Sequence, residues 1–233
     1  KKFYDFNGTK ISNVAYAEGG TASTYAKGFT DIISFAGEAY VTTKERVKRW
    51  VSPGTITYLT GGTFTNTNLQ HPAIVFENNA FYGDGNLLRR QTAANGAPTT
   101  ILTLASDQVI IALGIDPGTG KMLISTTFAL NISAARPGIH KVLWYDGFSD
   151  KPLKSAIVDE MITAFYSHEG IVYVGYGQNL GYLNGSGITF LRKLANVTLA
   201  VEDLPYKHNF AHIGKILFIV DGSDVLAYGE VVK

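Results

Sequence analysis

One phrase recurs about five times along the 233 residues, and it restricts the possible folds more than any other feature. Each copy is a β-rich run, a tight turn, a strand rich in Tyr, Phe and Val, a second turn, and a strand carrying an aromatic or basic residue. The first copy reads Asp31–Phe35, Glu38–Thr42, Arg46–Trp50 and Thr55–Leu59; the second reads Pro72–Phe76, Ala80–Tyr82, Asn86–Arg90 and Thr99–Leu104. The third reads Gln108–Leu113, Lys121–Thr126, Lys141–Tyr145 and Lys154–Val158. The fourth is the cleanest, with Ile162–Tyr166, Ile171–Tyr176, Leu180–Leu183 and Ile188–Leu191. The fifth offers only Asn209–Ile213, Lys215–Val220 and Asp224–Tyr228.

The second strands begin near residues 38, 80, 121, 171 and 215, giving spacings of 42, 41, 50 and 44 residues. A period of roughly 40–50 residues is the length of one four-stranded propeller blade. The extra length of the third copy falls at Thr127 to Gly138, where an insertion would occupy a surface connection. Turn chemistry has the same phase. Ala36-Gly37, Asn78-Asn79, Glu169-Gly170 and Ile213-Gly214 separate first from second strands, while Asp84-Gly85, Tyr176-Gly177 and Asp221-Gly222 separate second from third. Gly and Asn reach the positive φ angles of tight hairpins at little steric cost. The 25 Gly and the 13 Tyr, 13 Phe and 2 Trp thus alternate between turns and strands.

The fifth copy lacks a fourth strand, and the N-terminus has strand-like segments to spare, Phe3–Phe6 and Lys10–Tyr16. An N-terminal strand completing the last sheet would close a ring and cover an edge that otherwise templates aggregation. The expected architecture is a single all-β domain, a five-bladed β-propeller of four-stranded antiparallel blades closed by its N-terminal strand. Its blades are 30–62, 70–104, 105–158, 160–201 and 203–233, the last completed by 1–17. Two stretches, Ala156–Tyr166 and Leu191–Val201, also fit an amphipathic helix, and are read as strand pairs separated by a turn.

Charge narrows the function classes. Twenty basic residues against 19 acidic leave a net charge of +1, without the basic excess on which nucleic-acid affinity rests. The one cluster, Lys44–Arg49, reads as the exposed face of a hairpin. No cysteine is present, so disulfides and thiolate metal sites play no part. No apolar run approaches the ~18–20 residues of a membrane helix, so membrane insertion is not expected. The first residue is Lys1 rather than Met, which fits a processed product or part of a longer chain.

The runs Lys141–Gly147, Gly170–Tyr176, Leu180–Ile188 and Asp224–Gly229 resemble the blade repeats of β-propeller proteins encoded by tailed bacteriophages and by uncharacterised environmental genomes. The resemblance covers most of residues 30–233 as a repeat style. It implies a propeller and a virion structural part, such as a tail, collar, fibre or capsid-surface protein. It brings no catalytic residues. The Trp-Asp pair of WD-repeat propellers and the Asp box of sialidase-like propellers are both missing.

Few constellations could carry chemistry. Gly114–Met122 has its first Gly one residue too far from Gly120-Lys121 for a P-loop, and Met122 stands where the hydroxyl belongs, so it reads as a turn. The five histidines show no metal-ligand spacing; His208 and His212 on one strand would share a face ~13 Å apart. No metal and no cofactor are expected. Acids recur near the start of each first strand: Asp31, Asp107, Asp159 or Glu160, and Asp203. With His71, the residues Asp31, Asp107, Glu160 and Asp203 are the candidates for lining the central channel. Paired carboxylates there would suit glycoside hydrolysis, but recurrence at one phase favours a structural role in every blade. Trp50, Trp144, Tyr145, Tyr176 and Tyr182 could stack on sugars, or pack between blades. The expected function is a non-catalytic interaction module on a virion or extracellular surface, with other structural proteins as partners. A carbohydrate-binding propeller that takes a glycan is the alternative, and a glycoside hydrolase the third choice.

Overall fold

The structure is a computed structural model that describes residues 3–6, 11–14, 29–52, 55–66, 70–128, 139–185, 187–195, 208–221 and 224–229. Twenty-one strands and no helix occur among them. Blade one holds β3 (Phe29–Phe35), β4 (Glu38–Thr43), β5 (Arg46–Ser52) and β6 (Thr55–Thr63). Blade two holds β7 (Ala73–Phe76), β8 (Asn79–Asp84), β9 (Leu87–Gln91) and β10 (Thr99–Thr103). Blade three holds β11 (Gln108–Asp116), β12 (Lys121–Phe128), β13 (His140–Tyr145) and β14 (Lys154–Val158). Blade four holds β15 (Ile162–His168), β16 (Ile171–Tyr176), β17 (Asn179–Asn184) and β18 (Gly187–Lys193); blade five holds β19 (Phe210–Ile213), β20 (Ile216–Asp221) and β21 (Asp224–Tyr228). Each sheet is an antiparallel meander in chain order. The first strands of successive blades lie side by side, β3 by β7, β7 by β11 and β11 by β15, as the inner strands of a five-bladed propeller.

Blades two, three and four pack on both faces, which explains their nearly continuous apolar runs. Side chains alternate across a strand, so Met122 and Ile124 of β12 pack into the seam with blade two, while Leu123 between them packs into the seam with blade four. On β16, Val172, Val174 and Tyr176 face blade three, and Tyr173 faces Leu217 and Ile219 of blade five. The first seam joins Phe35, Tyr40 and Phe64 to Ala73, Ala80 and Tyr82. Most aromatic side chains among the described residues thus serve blade-to-blade packing.

Polar fasteners recur at fixed phases of the repeat. The amides of Phe64, Leu104 and Leu194, just past the fourth strands, donate to the carbonyls of Glu45, Asn86 and Gln178 at 2.8, 2.9 and 2.8 Å. Each of those acceptors lies in its own blade's turn between second and third strands. Asp84 and Asp221 are both the last residue of a second strand, and both are buried. Asp84 accepts from the amides of Thr65 (2.9 Å) and Asn66 (3.2 Å), and Asp221 accepts from the amide of Ala195 (3.1 Å). The exit of one blade is thereby tied to the next.

One turn shifts against the sequence reading, and some of the segments it named lie outside the described residues. The N-terminal strands β1 (Phe3–Phe6) and β2 (Ile11–Val14) pair with each other, Phe3 opposite Val14, and the fifth sheet has three strands among the described residues. Phe6 and Ile11 are so close in sequence that closing this hairpin costs little chain entropy. The turn after β7 is Glu77-Asn78, one residue earlier than expected, with φ of 48° and 56°. Asp203 lies outside the described residues, as does the end of the stretch Leu191–Val201, while Ala156–Tyr166 divides into β14 and β15 as read.

Glu169 and Gly170 at the equivalent turn of blade four have φ of 49° and 78°. A left-handed Glu pays for its Cβ, whereas Asn tolerates that region better. Glu169→Asn is expected to raise stability by about 0.5 kcal/mol, read as a higher urea midpoint; an unchanged or lower midpoint contradicts this account of the turn.

Candidate functional site

The acids placed at the channel by sequence do not converge. Asp31 on β3 is partly buried, and its Oδ1 and Oδ2 accept from the amides of Ile32 and Ala73, both at 3.0 Å. Ala73 belongs to the next inner strand, so Asp31 is a seam fastener. Asp107 and Glu160 are exposed, in the turn before β11 and the bend before β15. His71 is not channel-lining: it is completely buried, with Nδ1 2.8 Å from the Gly83 carbonyl and Nε2 3.1 Å from that of Lys44. Its ring stacks on Phe64 at 3.7 Å. Burial holds the His71 imidazole below its ordinary pKa, although the facing carbonyls and Asp84 pull the other way.

The aromatic candidates separate as well. Trp144, Tyr145 and Tyr176 are buried in seams, while Trp50 and Tyr182 are half-buried. Burial pushes the Tyr145 phenol up to about 12. A second polar group, unnoticed in sequence, joins the inner strands of blades four and five. The rings of His168 and His212 are 4.7 Å apart, and His212 Nδ1 is 2.6 Å from the Tyr166 hydroxyl. Among the described residues, no cluster of three or more His, Cys, Asp or Glu could hold a metal.

The site with the most developed chemistry is a cleft of about 540 Å³ between blades three and four. It lies where the β11–β12, β15–β16 and β17–β18 turns meet, and includes Asp116, Lys121, Trp144, Leu153, Lys154, Ile171 and Tyr182. Asp116 ends β11 and organises the following turn, which sequence identified as a turn rather than a phosphate loop. Its Oδ1 accepts from the Gly118 amide (2.9 Å), and its Oδ2 from the Thr119 hydroxyl and the Trp144 indole, both at 2.8 Å. Burial pushes the Asp116 carboxyl up, but the bonds from Trp144, Thr119 and Gly118 outweigh it and hold the group below the usual carboxylate range. Lys154 is opposite Trp144 in the β13–β14 register, and its ammonium sits 4.3 Å from the ring centroid. Such a cation over an indole contributes roughly 0.5–1 kcal/mol where solvent reaches it. Sequence could not find this cleft, because its parts come from two blades and only Trp144 and Tyr182 were singled out.

No protein-family model matches the chain, and a search of curated proteins gives no match. Solved structures do match. A chain from a crystal structure of the mitotic checkpoint complex is 12% identical with a TM-score of 0.52, covering 100% of this chain and 85% of that one. An alpha-L-arabinofuranosidase from Clostridium thermocellum is 8% identical with a TM-score of 0.51, covering 81% of this chain and 79% of that one. An extracellular domain from B. thetaiotaomicron, described as part of a one-component system, is 13% identical with a TM-score of 0.48; the match covers 97% of this chain but only 37% of that longer one. At these identities the likeness is one of fold, and the fold is that of a β-propeller.

Proposed function

We propose that the protein is a non-catalytic interaction propeller that binds other structural proteins of an assembly. One observation carries this reading. The outermost described strands of three successive blades each present a large apolar side chain to solvent: Ile157 on β14 (66% exposed), Phe190 on β18 (57%) and Val225 on β21 (63%). One apolar side chain exposed on the outer strand of each of three successive blades offers repeated points for protein contact. The bonds of Asp31 to backbone amides give that carboxylate a structural role, which supports the same reading. In its most specific form the assembly is a phage particle, a placement supported by the resemblance of the blade phrases to phage-encoded propellers.

The test is quantitative mass spectrometry of purified particles from cells carrying the gene. A fixed ratio to the major structural protein, lowered at least tenfold by Ile157→Asp with Phe190→Asp, is the expected result. Free, unassociated protein, or incorporation unaffected by the double variant in folded form, overturns it. No helix among the described residues is long and apolar enough to cross a membrane.

A further inference from the structure

We propose that the cleft between blades three and four binds an acidic sugar, a hexuronate or a short chain of them, through Lys121, Lys154 and the faces of Trp144 and Tyr182. Carboxylates in and beside the cleft are already occupied. Asp116, the one carboxylate lining the cleft among the described residues, accepts from Gly118, Thr119 and Trp144. Asp146, whose charge is felt by Lys121, likewise accepts from the amides of Phe148 and Ser149 and the Ser149 hydroxyl. Among the described residues neither Lys121 nor Lys154 makes a salt bridge. An arriving ligand therefore meets ammonium donors with capacity to spare and carboxylates that have little.

Around these donors the walls are apolar and flat. Leu153 and Ile171 are exposed at the rim, and the Tyr182 ring is half-buried. A volume of about 540 Å³ is within the range of small-ligand sites. A hexuronate matches each requirement: a carboxylate for the ammonium groups, hydroxyl acceptors, and a C–H face that lies on an aromatic ring. An acidic peptide would satisfy the lysines, but an extended backbone seeks an open strand edge, and this cleft is bordered by hairpin turns.

Lys154 occupies the face of Trp144, so a carboxylate that draws the ammonium away uncovers the indole for stacking. Binding should therefore be reported at Trp144 itself. The chain has two tryptophans, giving two indole N–H signals in a 1H–15N NMR spectrum, assigned with Trp50→Phe. Trigalacturonate is expected to shift the Trp144 signal saturably, with a dissociation constant below about 1 mM. Lys154→Met and Lys121→Met should each weaken it about tenfold, as expected for loss of a charged hydrogen bond, with the thermal midpoint unchanged in Lys121→Met and lowered in Lys154→Met only by the lost cation–indole contact. Maltotriose, an uncharged trisaccharide, should bind at least tenfold more weakly. The proposal fails if trigalacturonate gives no saturable shift up to 10-fold above that concentration, or if maltotriose matches it. It also fails if tetraglutamate binds more tightly, which would make the cleft an acidic-peptide site. These outcomes are independent of particle incorporation, so this proposal and the interaction reading can fail separately.

Discussion

Gly175→Ala is expected to lower the unfolding free energy by about 3 kcal/mol, at the upper end of what overpacking a filled core costs. Gly175 lies on β16, and a Cβ built there would fall on the His208 ring, against Cγ, Nδ1 and the His208 Cβ. The imidazole cannot retreat. It is 2% exposed, its Nδ1 is 3.2 Å from the Thr163 hydroxyl, and that hydroxyl donates to the Gly175 carbonyl at 3.1 Å. The same close approach recurs elsewhere. Cβ atoms at Gly83 and Gly114 would meet Pro72 with Ile110, and Phe165, each on a neighbouring connection or strand. A double-mutant cycle separates this clash from a general loss of β structure. His208→Ala alone leaves a cavity and destabilises, but combined with Gly175→Ala it should recover at least half of the Gly175→Ala loss. Urea unfolding supplies all four numbers. A Gly175→Ala protein within ~0.5 kcal/mol of the parent, the usual range for surface changes, would contradict this seam geometry.

The second large effect is a loss of stability on mild acidification. Burial holds the His208 imidazole down to about 4, against an ordinary value near 6.5 in the unfolded chain. Between those two values the unfolded chain takes up a proton that the folded chain refuses, so stability falls as pH drops through this window. It is fully present above pH ~6.5 and has been lost by about pH 4; the gap corresponds to on the order of 3 kcal/mol. His71 and His140 are also lowered by burial and act with the same sign. The lowered carboxyls of Asp116 and Asp146 contribute in a separate window, where stability is lost only as pH falls below the unfolded value of ~3.9. Unfolding free energies from pH 7.5 to 4.5 should decline steadily, and His208→Asn should flatten part of that slope. A profile that is level or rises on acidification would show that these histidines are not buried neutral.

The architecture was unusually legible because several signals agreed at one phase. The expected second-strand starts, 38, 80, 121, 171 and 215, compare with observed starts of 38, 79, 121, 171 and 216. Aromatic strands alternating with Gly and Asn turns cannot be rearranged into helices without losing both patterns. The site was much less legible. Asp31, Asp107 and Glu160 share a sequence phase, yet their surroundings differ: a seam, a turn and a bend. Phase within a repeat specifies the strand position, but the groups facing it come from the next blade. His71 shows the same limit, since nothing local indicates that the carbonyls of Lys44 and Gly83 will enclose its ring. The cleft requires Asp116 and Trp144 of blade three to meet Ile171 and Tyr182 of blade four, which only the ring produces.

The central claim is that Asp31 ties blade one to blade two through the Ala73 amide, as the proposed non-catalytic role requires. Asp31→Asn tests it most directly, with urea unfolding and release of nitrophenol from a panel of nitrophenyl glycosides measured on the same preparations. The expected result is a loss of about 1–2 kcal/mol, as for weakening a charged acceptor of backbone amides, and no turnover by the parent or the variant. Turnover by the parent that Asp31→Asn abolishes while leaving stability intact would contradict it.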